Sequence, residues 1–353
     1  MTEKKDQIHK LKKGDTIESL VLELGISPEE VRGFHNIHSK DENLIIYDLP
    51  IHLTELLVYP HIREIKKENY PTAQFSGYTL SFKPNPKKVN YGVMFTITNN
   101  ETEITTIKFD VSIIFLENQN ENFVYEITKF ETYINDIEVD SMIDKLAETI
   151  TKVIYPLQII TNQQNKFIGI ANFDQVKKRW KTEKEKTNEY FDGDWFYKFQ
   201  EISDRVFKNQ STLMASLSND WFLNSFFSGI HTNYTQRFKF ENTITFPLLT
   251  NTQPLQYKVT QIIDEYLDEF SQVIIDQEGQ LDDQRNKANF NTGQLFSMLS
   301  EDDSSEKAEG KFKAKYFLNS KDNSIESLFL TCDIILDKPK NIEIIIAKKL
   351  THE

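Results

Sequence analysis

The sequence predicts an α+β protein, in which an N-terminal βααβ module precedes a large region of antiparallel β-sheet with packed helices. Three observations lead to this class. Residues 8–58 show strand and helix patterns in the order strand, helix, helix, strand. Apolar and polar residues alternate in residues 78–135 and again in residues 237–349, which is typical of half-buried strands. Apolar residues recur at helical spacing between residues 141 and 233.

The first module opens with a short strand after Ile8 and turns at Lys13–Asp15. Asp15 or Thr16 can cap the helix that follows, because a side-chain oxygen there accepts a hydrogen bond from an amide of the first turn. Gly25 ends that helix as a left-handed cap. The helix carries its apolar residues at helical spacing on one face: Ile17, Leu20, Val21 and Leu24.

A second helix of the module starts directly after Gly25. Ser27 is the predicted N-cap, Pro28 suits the first helical position, and Glu30 completes a capping box. The apolar run LIIYDLPI, which begins at Leu44, predicts the strand that closes the module.

The rest of the chain is divided by its pattern into a linker and two parts. Residues 59–77 are of mixed polarity and predict the linker. Residues 78–190 predict a β-rich α+β subdomain, because several alternating runs are followed by helical spacing. Residues 191–350 predict a helical segment and a second β-rich subdomain.

Two helical patterns carry tryptophans. In the charged run QVKKRWKTEKEK, Trp180 is expected to be the buried residue of an otherwise solvated helix. The helical segment that starts at Asp194 is expected to break near Asn209. Its first part has an apolar stripe that predicts a face packed into the core, formed by Trp195, Phe199, Ile202 and Val206.

Composition and motif spacing exclude several functional classes. The formal net charge of −13 argues against a general nucleic-acid binder. The closest glycines, Gly25 and Gly33, are too far apart for a dinucleotide fingerprint, a P-loop or a nucleophile elbow. The single cysteine, Cys332, lies in an apolar run and is expected to be an inert buried thiol. His35 and His38 lack a third ligand in register. No catalytic residue, metal site or cofactor is therefore predicted.

The N-terminal module resembles a LysM module over residues 8–58. The pattern of this family is a strand, Gly-Asp-Thr, an apolar helix, a Gly-Val-Ser turn, a second helix and an Asn. The end departs from the family, which usually has Gly-Gln before its last strand and Ile-Pro after it, whereas this chain has Tyr47–Pro50. The matching places are held by Leu11, Gly14-Asp15-Thr16, Ile17 to Leu24, Gly25-Ile26-Ser27, Glu29 to Phe34, and Asn36.

The resemblance implies a groove that binds glycans containing N-acetylglucosamine, chiefly peptidoglycan and chitin. The groove would lie between the first strand–helix turn and the loop after the second helix. A protein partner is the alternative occupant, and capping and turn formation are the alternative roles of Asp15, Thr16 and Asn36. Residue by residue, the resemblance implicates Gly14, Asp15, Thr16 and Ile17 on one side and Phe34, His35, Asn36 and Ile37 on the other.

The N-terminus lacks the apolar segment of a secretory signal, and no apolar run is long enough to span a bilayer. We therefore expect a cytoplasmic protein without a membrane span, with export alongside a secretion apparatus as the alternative. LysM-like modules without a signal are similar to those of baseplate and tail-associated proteins in contractile injection machines, including type VI secretion systems.

The sequence thus predicts a non-catalytic adaptor or structural protein of a cytoplasmically assembled bacterial contractile injection or type VI secretion-like apparatus. Its expected partner is a baseplate, spike or effector protein. One alternative is a peptidoglycan-binding protein of the cell envelope. Another is a cell-wall hydrolase or toxin with an active site in residues 78–353.

Overall fold

The computed structural model divides the chain into two compact units, Met1–Thr72 and Ala73–Glu353. We call them the N-terminal unit and the sheet unit. The structure describes residues 8–12, 14–24, 28–39, 43–45, 48–50, 52–58, 71–73, 75, 78–99, 103–138, 142–235, 238–250, 252–268, 270–292 and 306–349.

The described residues of the N-terminal unit form two short strands and two helices. They are β1 Ile8–Lys10, α1 Ile17–Leu24, α2 Pro28–His38 and β2 Glu55–Leu57. β1 and β2 pair antiparallel, with Ile8 opposite Leu57. A small core of its own holds the unit together, formed by Ile17, Leu20, Val31, Ile45, Leu56 and Val58.

The closing strand predicted in LIIYDLPI is wrong. The strand that pairs with β1 begins eleven residues after Leu44, at Glu55. The described part of the predicted run includes Ile45, whose backbone is hydrogen-bonded to the side chain of Asn36 instead of to a neighbouring strand. The side-chain amide of Asn36 makes the hydrogen bonds that a neighbouring strand would otherwise make. An apolar sequence pattern does not predict such a contact.

In the part of the sheet unit that the structure describes, twelve strands form one antiparallel sheet. Eleven of them follow the order β8-β7-β5-β4-β3-β14-β13-β12-β11-β10-β9, and β6 pairs with β5. The strands are β3 Val89–Asn99, β4 Glu103–Gln119, β5 Asn122–Ile134, β6 Ile137–Glu138, β7 Leu157–Thr161, β8 Phe167–Ile170, β9 Lys239–Phe246, β10 Leu255–Ile263, β11 Gln272–Leu281, β12 Lys311–Asn319, β13 Ile325–Ile334 and β14 Lys340–Lys348.

The helices of the sheet unit share a hydrophobic core with the strands. Most of them lie in a single stretch of the chain between β6 and β9, and Trp180, Leu213 and Phe222 from this stretch join one continuous core with the strands. Trp180 is buried, as expected from the sequence. The helices are α3 Met142–Ile154, α4 Phe173–Tyr190, α5 Asp194–Val206, α6 Gln210–Leu217, α7 Trp221–Phe226 and α8 Lys287–Thr292.

The two faces of the sheet differ in chemistry. β10 alternates strictly between buried and exposed residues along most of its length. On the face turned away from the core, charged side chains pair across the strands, as Lys313 does with Glu278 at 3.1 Å and Lys315 with Asp276 at 3.3 Å. Around these pairs the alternation is the pattern expected of an antiparallel sheet with one solvated face. In the central strands the same side is buried at Met94, Phe329 and Ile345.

The predicted α+β class is wrong, because the chain is mainly β. The strands of residues 78–190 and of residues 191–350 belong to one sheet. β3 and β14 join the two sets, with Phe95 opposite Ile344. This pairing spans almost the whole unit, and local periodicity carries no information on contacts so distant in sequence.

The helical layer also departs from the prediction. The predicted core stripe of α5 leaves Trp195 and Ile202 exposed, at 44% and 47%. The residues that α5 buries are Phe196, Gln200 and Ser203. The core-facing side of the helix is therefore rotated by about one residue, or roughly 100°, from the apolar stripe. Among the described residues, no helix combines the length and apolar character that crossing a bilayer requires.

Candidate functional face of the N-terminal unit

The turn between β1 and α1 is held by its own polar groups. The Asp15 amide donates to the Lys12 carbonyl at 3.1 Å, and the Lys12 amide donates to Asp15 Oδ2 at 2.7 Å. Gly14 has a φ of +98°, a conformation that favours glycine. Asp15 therefore closes the turn.

The residue that caps α1 is Thr16. The Ser19 amide donates to Thr16 Oγ1 at 3.2 Å, and the Thr16 amide donates to Ser19 Oγ at 2.9 Å. This is a capping box in which serine takes the place usually held by Glu or Gln. Of the two candidates from the sequence, Thr16 performs the capping, and Ile17, the next residue, is buried in the core.

His35 links α2 to two other segments. The Leu57 amide donates to Nδ1 at 2.9 Å, so the proton of the ring is on Nε2, which donates to the Asn43 carbonyl at 2.9 Å. The side chain is 2% exposed, and this burial lowers the pKa of His35 although the bond to Asn43 acts in the opposite direction. His35 is thus a neutral imidazole with both nitrogens used within the unit.

Asn36 makes a similar pair of contacts. Its amide nitrogen donates to the Ile45 carbonyl at 2.8 Å, and its side-chain oxygen accepts from the Ile45 amide at 2.7 Å. Both residues are buried. The side chain of Asn36 therefore satisfies both polar groups of one buried peptide residue, which would otherwise carry a large desolvation cost.

The remaining predicted groove residues differ in accessibility. Gly14 and Thr16 are exposed, and Asp15 is half-buried. Phe34 and Ile37 belong to α2, but their side chains lie outside the described residues. The two predicted sides are connected through the core, where α1 contributes Ile17 and α2 contributes Val31.

Sequence reasoning missed the partners of His35 and Asn36. These partners are backbone groups of Asn43, Ile45 and Leu57. Every residue carries such groups, so the sequence contains no signal for them. The adjacency of a histidine and an asparagine at a helix end was the available hint, because both side chains can donate and accept at once.

Other ionisable groups in the chain are buried or bonded within the structure. Cys332 is fully buried, and burial raises its pKa well above the ordinary range of a thiol. Asp136 pairs with Lys108 at 2.6 Å. Asp192 accepts from Tyr197 Oη and the Gly193 amide, and these bonds lower its pKa. Within the described ranges, no group of three His, Cys, Asp or Glu side chains is arranged to hold a metal ion.

Comparison with known proteins gives little further information. No protein family model matches the sequence, and no curated protein matches it. A solved structure titled "Lipid-protein interactions in lipovitellin" is similar over 76% of this chain, with 7% sequence identity and a TM-score of 0.40. The chain spans 25% of that protein.

Proposed function

We propose that this protein is a non-catalytic adaptor of a contractile injection or type VI secretion-like apparatus. In this proposal the LysM-like N-terminal unit docks onto a protein of the apparatus, and the sheet unit carries a partner or effector. The observation that carries the docking role is the state of His35 and Asn36. Both side chains are buried, and their hydrogen-bonding groups bind the backbone of the unit itself.

This arrangement favours a protein partner over a sugar. A sugar site usually combines apolar surface with a few polar groups that are free to meet hydroxyl and amide groups of the ligand. Here the amide of Asn36 and the ring of His35 are already occupied. Among the described residues of the predicted face, Gly14 and Thr16 are accessible and Asp15 is half-buried. A small exposed turn of this kind suits contact with a protein surface.

The separate cores of the two units support an adaptor. The N-terminal unit packs around residues such as Leu20 and Val31, and the sheet unit has its own continuous core. A unit with its own core can act as an independent binding module. Two such modules in one chain allow one to dock while the other holds a second protein.

Affinity purification from a native bacterial lysate tests the proposal. We expect the full chain to recover baseplate, spike or effector proteins, and Glu18→Arg to recover much less of them. Glu18 is exposed in the first turn of α1, two residues after Thr16. Glu55→Arg is the matched control, because Glu55 is exposed on β2. The docking role is wrong if no such protein is recovered or if both variants recover it as well as the wild type does.

Peptidoglycan binding is the second candidate, because the exposed Gly14 has open space beside it that a sugar ring could enter. Sedimentation with purified cell wall distinguishes the two candidates. A protein-docking unit stays in the supernatant, whereas a glycan-binding unit pellets with the wall, and Glu18→Arg reduces the pelleted fraction.

A further inference from the structure

Helix α5 buries two polar residues and leaves two residues of its apolar stripe exposed. The helix buries Gln200 and Ser203, which are 8% and 5% exposed. Trp195 and Ile202, which belong to its apolar stripe, remain 44% and 47% exposed. A surface helix normally turns its apolar stripe to the core and its polar residues to water.

The buried polar residue Gln200 has a partner that makes this orientation stable. Its side-chain amide donates to Asn188 Oδ1 at 2.7 Å, which connects α5 to the end of α4. Phe196, fully buried beside it, packs against Phe191 and Phe199 with ring centroids 5.6 and 6.4 Å apart. The orientation of α5 is therefore fixed by contacts that leave Trp195 and Ile202 at the surface.

The exposed stripe has the geometry of a helix-binding surface. Its members are spaced i, i+4, i+7 and i+11, which places them in a row about 16 Å long. Phe199 and Val206 are half-buried and pack partly against the core, so they form the floor next to the two exposed members. An amphipathic helix of three turns would cover a row of this length. We call this surface the α5 stripe, formed by Trp195, Phe199, Ile202 and Val206.

Two basic residues border the α5 stripe on its solvent side. Lys198 and Arg205 are exposed and seven residues apart, so they lie one above the other along the helix. Arg205 contacts Glu201 at 3.9 Å, and about 70% of each side chain is exposed. An ion pair so exposed contributes little and can be replaced by a partner carboxylate. The charge of this border therefore complements an acidic partner.

We propose that the α5 stripe is a docking site for an amphipathic helix of a partner protein, with acidic residues beside its apolar face. Trp195 and Ile202 insert between the apolar side chains of that helix, and Lys198 and Arg205 pair with its carboxylates. Tryptophan and arginine are the residue types that most often dominate binding energy at protein interfaces. The inference rests on the proposed adaptor role and describes the partner held by the sheet unit.

Binding of a designed peptide to the full chain tests the site. The probe is a fluorescein-labelled helical peptide with leucines at i, i+4, i+7 and i+11 and flanking glutamates, and a second peptide has lysines in their place. We expect the acidic peptide to bind and to shift Trp195 fluorescence to shorter wavelength. Ile202→Glu should weaken that binding by at least about tenfold, because it places a carboxylate in the apolar row.

Ile262→Glu is the matched control, since Ile262 is 41% exposed on β10, away from α5. This variant should bind the acidic peptide like the wild type. The proposal is overturned if the acidic peptide does not bind, if the lysine peptide binds as tightly, or if Ile202→Glu has no effect. It is also overturned if sedimentation shows a homodimer that Ile202→Glu dissociates, because a second copy is then the occupant.

The peptide assay tests the α5 stripe and the lysate assay tests the adaptor role, so a negative result in one does not decide the other. If the acidic peptide binds at the α5 stripe while the lysate yields no apparatus protein, the adaptor role is wrong and the site remains. If the lysate yields apparatus proteins through the N-terminal unit and the peptide does not bind, the adaptor role remains and the site is wrong.

Discussion

In the N-terminal unit, polar side chains fix the backbone conformation through hydrogen bonds, whereas the sheet unit is stabilised by the packing of apolar side chains from many strands. Side-chain hydrogen bonds fix the turn, the first helix and the two segments packed on α2, and they are made by Asp15, Thr16, His35 and Asn36. The sheet unit instead has rows such as Phe95, Ile344 and Leu330 across three neighbouring strands.

The difference follows from size. A small unit buries a smaller fraction of its surface and so gains less from the hydrophobic effect. Its stability then depends on a few hydrogen bonds whose loss leaves buried groups without a partner. A large sheet distributes its stability over many apolar contacts. Polar residues that look like a binding site in a small unit can therefore be the residues that fold it.

Asn36→Ala is expected to have the largest effect. It removes two hydrogen bonds and leaves the buried amide and carbonyl of Ile45 unsatisfied, at a cost of about 2–4 kcal/mol. In so small a unit this loss should unfold α1 and α2. Hydrogen exchange resolved by residue measures it, and the amides of both helices should lose protection together.

The matched change in the sheet unit is Ile344→Ala, which removes a fully buried side chain at a similar cost of about 2–5 kcal/mol. The three tryptophans all lie in the sheet unit, so their fluorescence during urea unfolding reports on that unit. Ile344→Ala should lower the urea midpoint while the unit stays folded in water. The comparison fails if Asn36→Ala leaves the protection of α1 and α2 unchanged.

Acidification is expected to weaken both units by a smaller amount. Burial lowers the pKa of His35, and it lowers the pKa of His231 to about 4. Each of these histidines therefore binds more protons in the unfolded state below a pH of about 6.5, so its contribution to stability is complete above that value and falls as the pH drops. Each histidine costs at most about 1.4 kcal/mol for each pH unit.

Urea unfolding between pH 6.5 and 5 measures the effect of His231, because most carboxylates stay ionised in that range. The midpoint from tryptophan fluorescence should decrease, and His231→Asn should flatten the dependence. Hydrogen exchange of α2 over the same range measures the effect of His35 in the N-terminal unit. A midpoint that is constant or rises on acidification would show that His231 does not titrate as its burial requires.

Part of this molecule could be predicted from the sequence. The start of α1, its cap by Thr16 and the burial of Trp180 follow from signals within one or two helical turns. The alternation of β10 likewise identifies a strand with one solvated face. These features depend on residues that are close in sequence, so the sequence pattern predicts them.

The wrong predictions concern which parts of the chain each helix or strand contacts in the fold. The α+β class is wrong because the chain is mainly β, and the two predicted β-rich parts join in one sheet where β3 pairs with β14. The α5 stripe was predicted to be core because its period is helical, but the neighbours of α5 bury Phe196 and Gln200 instead. At the N-terminal face, spacing identified His35 and Asn36, and their role depends on backbone groups of other segments.

The smallest predicted effects come from two helix caps. Thr16 with Ser19 caps α1, and Asn209 with Thr212 caps α6 through the same reciprocal hydrogen bonds. Thr16→Ala and Asn209→Ala should each cost about 1 kcal/mol, which corresponds to about fivefold faster exchange of the uncapped amide. Thr16→Ser and Asn209→Asp are the controls, because both keep an acceptor in place.

The two units are expected to differ more in how many amides exchange faster than in how much faster the uncapped amide exchanges. In the sheet unit, faster exchange after Asn209→Ala should be confined to α6, because the neighbouring elements stay packed on the large core. In the N-terminal unit, faster exchange after Thr16→Ala should spread from α1 to α2, since their shared core is small. If exchange stays local in both variants, the N-terminal unit is as robust as the sheet unit.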